Sequence, residues 1–188
     1  MKSIDSRLTA FFAAIAFALF VPCAQAAPFT NGGFETGTFA GWTQFGDTSF
    51  SGVDSFSGQS GAFGAFFGPT ESGGISQTFD TTSGAYRVSF LLQLDDSSQP
   101  NRFSWAWNGV TQTPVLNNVA GFSFAAFSGL VLATGASSTL SFSFVNPQSF
   151  WLLDNVTVAA VPEPSTIVLL GAGLLFVARR GKRLVRRA

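Results

Sequence analysis

Between residues 28 and 160 apolar and polar side chains alternate with a period of two, in short runs set off by Gly, Asn, Asp and Pro. That period puts successive side chains on opposite faces of an extended strand. Tyr86, Val88, Phe90, Leu92 and Leu94 alternate with Arg87, Ser89 and Gln93. Phe103, Trp105 and Trp107 alternate with Ser104 and Ala106. Asn108-Gly109 is a strong two-residue hairpin signal, and a further strand is predicted over 110–115. Phe122 and Phe124 open a run that reaches Leu132, and Leu140, Phe142 and Phe144 alternate with Ser141 and Ser143. Residues 150–159 form the last predicted strand, and earlier ones are predicted near 43–45, 62–67 and 75–79. About eight to ten strands, about 8–12 residues apart, predict an all-β sandwich or jelly roll. The Phe- and Gly-rich stretch 56–68 reads as a loop or, at Phe63 and Phe66, as core.

The two ends break this pattern. At the N-terminus Lys2 and Arg7 precede an apolar run over 10–21, Pro22 interrupts it, and Ala24-Gln25-Ala26 offers a small-x-small cleavage site. Residues 1–26 therefore read as a secretory signal peptide, with an uncleaved anchor as the alternative. Cys23 is the one cysteine of the chain and falls within that segment. Pro22 stands where a lipoprotein signal needs a small residue. The mature domain then lacks a disulfide, and its stability must come from burial or a metal.

At the other end, residues 161–188 begin Val161-Pro162-Glu163-Pro164, continue with no polar side chain from Ile167 to Val177, and finish in a basic cluster. The prolines fix φ and remove donors, so no strand or helix of the domain continues through them. The apolar run suits a helix in lipid, although it is shorter than the roughly 20 residues of a full span. Arg179, Arg180, Lys182, Arg183, Arg186 and Arg187 would stay on the cytoplasmic side. An ordinary single-pass tail meets the same constraints. Pro162-Glu163-Pro164, an apolar helix and terminal arginines, in this order, resemble the PEP-CTERM sorting signal of Gram-negative bacteria. The basic cluster here is longer and more dispersed than the usual Arg run. The resemblance implies transient insertion in the inner membrane, cutting by an exosortase at or near this motif, and passage to the cell surface.

Charge changes the picture of the middle domain. The whole chain is formally neutral, with 10 basic and 10 acidic residues. Between residues 28 and 161, however, Arg87 and Arg102 stand against eight carboxylates, a net charge of −6. So acidic a domain argues against a nucleic-acid partner. Histidine is absent, which removes Ser-His-Asp and Cys-His catalysis and the commonest zinc ligand. Asp95 and Asp96 are adjacent, and no partner carboxylate for glycoside hydrolysis is identifiable. No catalytic residue is assigned.

Two distant segments carry the remaining chemistry. One is Asn31-Gly32-Gly33-Phe34-Glu35-Thr36-Gly37 followed by Gly41-Trp42, and the other runs from Trp151 through Asp154 to Val158. Asp154 shares parity with Leu152, Val156 and Val158, so a regular strand would turn it inward. A buried carboxylate must be hydrogen-bonded, paired or metal-bound. Both segments resemble the first and last strands of galactose-binding-like jelly rolls, the fold of many carbohydrate-binding modules. That resemblance implies a structural calcium held by Glu35 and Asp154, with backbone carbonyls near Asn31 and Gly33. Hard oxygen ligands suit that ion. The alternative is that Asp154 caps backbone amides.

Trp151 and Trp105 are candidate glycan contacts, because aromatic faces stack on pyranose rings. Trp105 shares parity with Phe103 and Trp107, which equally suits a core position. Trp151 has the opposite parity to Asp154 and is expected to be partly exposed. Trp42 is expected to close one end of the sandwich. The polar loop 95–102 is the candidate ligand-facing loop, or a solvated connection. Together these features describe an exported surface or matrix protein with a structural or adhesive sandwich, associated with exopolysaccharide or biofilm. A module recognising a defined glycan is the alternative.

Overall fold

The computed structural model describes residues 29–162. The segment 1–26, Glu163, Pro164 and the apolar tail lie outside the described residues. Ten strands and no helix occur among the described residues. They are β1 Thr43–Gly46, β2 Ser51–Asp54, β3 Gly64–Phe67, β4 Gly73–Asp80 and β5 Gly84–Leu94. β6 Arg102–Trp107, β7 Val110–Asn117, β8 Phe122–Ala133, β9 Ser137–Val145 and β10 Trp151–Ala160 complete the chain.

The strands form two five-stranded antiparallel sheets, β1-β4-β9-β6-β7 and β2-β3-β10-β5-β8. The all-β sandwich expected from the alternation is therefore the observed fold. The predicted hairpin joins β6 to β7 through Asn108 and Gly109, whose φ angles of 49° and 78° suit a tight two-residue turn. The segment 31–37, expected to be a first strand, forms turns instead, and β1 lies in the other sheet from β10. The segment does meet the last strand. The amide of Val156 in β10 donates to the Gly32 carbonyl at 2.8 Å.

The core between the sheets is largely aromatic. Phe90 of one sheet packs against Phe142 of the other, with centroids 5.1 Å apart at 78°. Phe67 and Phe144 stack across the same gap at 4.0 Å. Edge-to-face and offset pairs of this kind add to the energy of area burial. Trp42 seals one end as expected. It stacks on Phe34 at 5.9 Å, and its indole donates to the Asn31 carbonyl at 3.0 Å. Among the described residues the buried core runs from Phe34 to Val156, with Phe29 and Val158 packed against it.

The polar strand faces point outward and pair among themselves. Thr78 and Thr139 share a hydroxyl hydrogen bond of 2.8 Å, and Ser89 and Thr157 one of 2.7 Å. Such cross-strand pairs fix register on the solvated face.

Candidate functional site

β10 positions the chemistry, and a local irregularity decides how. Trp151 and Leu153 join the core, whereas Leu152 and Asp154 lie on the opposite face. The pairing with β5 then shifts between Asp154 and Thr157, with Asn155 at φ 49°. The bulge returns Val156 to the core. Asp154 therefore does not point inward with Val156 and Val158, as a regular strand requires. Its carboxylate is fully buried beneath the loop 57–63 instead. Oδ2 accepts the amides of Gln59 at 2.8 Å and Ser60 at 2.7 Å, and Oδ1 accepts its neighbour Asn155.

Glu35 fastens the other end of the same loop. Ala62 donates to its Oε1 at 3.1 Å and Oε2 at 3.0 Å, and Phe63 donates to Oε1 at 3.3 Å. Gly61, at φ 82°, makes the approach possible, since a Cβ there would lie 2.1 Å from Oε1. The two acids converge on one place. A Cβ on Gly33 would sit 3.9 Å from Asp154 Oδ1 and 4.0 Å from Glu35 Oε1.

This convergence is the one the calcium expectation requires, but the partners differ. Calcium takes six to eight oxygens. Here both carboxylates face amide hydrogens, which present positive ends to the oxygens a cation would use. The Asn31 carbonyl accepts from the Trp42 indole. Among the described residues no group of three or more acidic, His or Cys side chains gathers around a common point. In this arrangement amide donors supply the partners of both acids.

The two tryptophans proposed as glycan contacts require correction. Trp105 is 1% exposed and Trp151 fully buried. The shared face of Phe103, Trp105 and Trp107 is turned toward the other sheet. Trp105 lies 5.8 Å from Phe90 and donates to the Thr113 carbonyl. Trp151 is not partly exposed. It packs 5.8 Å from Phe103 and donates to the Val145 carbonyl at 3.2 Å. A buried indole needs such an acceptor, and neither ring presents a face to a ligand.

Other aromatics line a surface cavity of about 340 Å³. Phe56, Phe66, Phe150 and Leu152 supply its apolar walls, and Asp54 and Asp95 its carboxylates. Phe66 and Phe150 meet edge to face at 5.6 Å. Phe66 is half-buried on the outer face, rather than in the core as the sequence expectation had it. Phe56 is 92% exposed. Asp54 Oδ1 accepts the amides of Phe56 at 3.0 Å and Ser57 at 2.8 Å, which shapes the turn that presents this ring. Asp95 is bonded by the Gln93 amide at 2.7 Å.

Of the loop expected to face a ligand, Asp95 alone lines this cavity. Asp96 folds back on Ser98, whose hydroxyl holds the Asp96 carboxyl below the usual carboxylate range. Asn101 is buried, with its side chain donating to the Ser98 and Val119 carbonyls. The loop is thus largely self-fastened. Phe56 and Phe150 were not singled out by sequence. The only signal for Phe56 was a large aromatic among Ser and Gly, where no alternation turns it inward.

Residues 160–183 match the family model described as the PEP-CTERM protein-sorting motif. The chain carries a PEP-CTERM sorting motif. That motif indicates sorting by the exosortase route toward the surface or exterior of the cell. No curated protein is significantly similar in sequence. Among solved structures, TmCBM61 in complex with β-1,4-galactotriose aligns with a TM-score of 0.60 at 19% identity, covering 71% of this chain and 97% of that one. A family 16 carbohydrate-binding module aligns at 0.53 and 10% identity, over 71% and 99%. The CBM22-1 xylan-binding domain of Paenibacillus barcinonensis Xyn10C aligns at 0.51 and 22% identity, over 71% and 94%. The PEP-CTERM protein therefore shares the jelly-roll fold of carbohydrate-binding modules.

Proposed function

We propose that this chain is an exported surface protein whose sandwich holds glycan in the cavity of Phe56, Phe66, Phe150, Asp54 and Asp95. One observation carries the reading. Exposed aromatic rings and carboxylates share one concavity on the sheet face. Sugar rings have apolar C–H faces and peripheral hydroxyls. Phenyl rings take the former, and carboxylates accept from the latter. The names of the structural neighbours support the same ligand class. Their identities, all under 25%, leave the sugar open.

The sandwich on this reading is a binding domain without chemistry of its own. The signal peptide 1–26 is removed on export. The tail 161–188 lodges in the inner membrane until an exosortase cuts near Pro162–Pro164. The domain 28–160 is then displayed or released, where extracellular polysaccharide of the biofilm matrix is its partner. No structural calcium enters the proposal, because amides already satisfy Glu35 and Asp154.

Affinity electrophoresis of the purified sandwich through gels containing neutral and acidic polysaccharides tests the binding. At least one polysaccharide should retard the domain, and Phe56→Ala should weaken that interaction by about tenfold. Because Phe56 is 92% exposed, the variant should melt as the parent does. Retardation unchanged by Phe56→Ala would place the ligand elsewhere, and migration unaffected by every polysaccharide would count against glycan binding.

A further inference from the structure

The sandwich has four sheet edges, and they are not treated alike. Edge strands expose unpaired backbone groups, and proteins blunt them with short strands, proline or charge. β1 and β2 are four residues each. β7 carries Pro114, which has no amide hydrogen. β8 is the exception. It runs 12 residues, FSFAAFSGLVLA, with no proline and no charge, and among the described residues it pairs along one side only, with β5.

Its side chains add to the exposure. Leu130 and Leu132 are 61% and 63% exposed, and both line a cavity of about 350 Å³ beside Val110 and Trp107. One edge feature is already used: the Leu132 carbonyl accepts from the Trp107 indole at 3.1 Å. The open stretch therefore runs from Phe122 to Val131.

We propose that β8 pairs antiparallel with β8 of a second copy, joining two five-stranded sheets into one of ten strands. The occupant follows from the strand itself. A two-fold axis across an antiparallel pair needs no second sequence, because each copy supplies the donors and acceptors the other lacks. With the axis near Ser128, Leu130 faces Ala126 of the second copy, and Leu132 faces its Phe124. Charge favours the same edge. Two sandwiches of net charge −6 repel each other. β8 brings no carboxylate to the seam, and Arg87 stands opposite Leu130 on the adjacent strand. A strand of this length spans about 40 Å. That seam is narrow against the roughly 1,600 Å² of a standard interface, so the dimer is weak and concentration-dependent.

Sedimentation equilibrium of the sandwich 29–162, from about 10 μM to about 1 mM, reads the association. Weight-average mass should climb toward two copies as concentration rises. Leu130→Lys, placed on the exposed edge, should hold the protein at one copy throughout. Val115→Lys, at a 51% exposed site on the proline-bearing edge β7, should associate as the parent does. Phe56→Ala should also associate normally, which separates this interface from the glycan cavity. A parent that stays monomeric over the whole range would overturn the proposal, as would association undiminished by Leu130→Lys.

Discussion

At the scale of single residues, carboxylates on backbone amides do the work that disulfides do in many exported domains. Asp154 is the strongest case, being fully buried with its oxygens on three amides. Removing it leaves the Gln59 and Ser60 donors without their acceptor beneath the loop. Asp154→Ala should lower unfolding free energy by about 3 kcal/mol, read from the urea midpoint. A loss under about 1 kcal/mol would show that the loop 57–63 is not held this way. A chelator should leave the melting temperature of the parent unchanged, since amides rather than a cation satisfy these oxygens. A clear drop in melting temperature would restore the metal.

Asp47 is a second such staple, on the surface. The Ser49 hydroxyl, aided by the Glu71 and Ser49 amides and the Thr70 hydroxyl, holds its carboxyl far below the ordinary carboxylate range. The folded state thus binds its proton less readily than the unfolded chain, whose Asp titrates near 3.9. The contribution is complete above that value and is lost as pH falls toward the folded one. Stability should therefore decline below about pH 4, less steeply in Asp47→Asn, as followed by urea titrations at stepped pH. Equal slopes in both proteins would remove Asp47 from the acid response. These partners were not legible in the sequence, because a carboxylate's donors come from loops that only the fold brings near.

At the scale of elements, alternation identified nine of the ten strands, in places within a residue of their observed limits. It works because one face of each strand is buried, so the period of two is enforced by burial. β2 was missed for a physical reason. Ser51-Gly52-Val53-Asp54 is half-buried along its whole length and has no alternation to read. The strand exists through its partner: a Cβ at Gly52 would sit 2.6 Å from the Phe66 ring, so the glycine admits that ring against β2. The bulge in β10 was also hidden. It reverses which face Asp154 takes, and with it the expected roles of Trp151 and the acid. Asn155 is the one local sign, since Asn tolerates positive φ better than most residues. The candidate site was accordingly legible only in part. Its aromatics come from β3, the turn after β2 and the residue just before β10, three places whose proximity no local pattern records.

At the scale of the whole molecule, neutrality conceals a division of labour. The acidic sandwich and the basic terminal cluster nearly cancel in sum, while their locations differ completely. The sorting motif at 160–183 begins at the last residue of β10, Ala160. Among the described residues, the buried core runs from Phe34 to Val156. On the proposed reading the tail serves delivery and is cut away once the domain is outside. Mass spectrometry of the protein recovered from the cell surface tests this most directly. The expected species begins near Ala27, ends near Pro162–Pro164, and yields no peptide from the apolar tail. Surface protein still carrying Arg187 would contradict it.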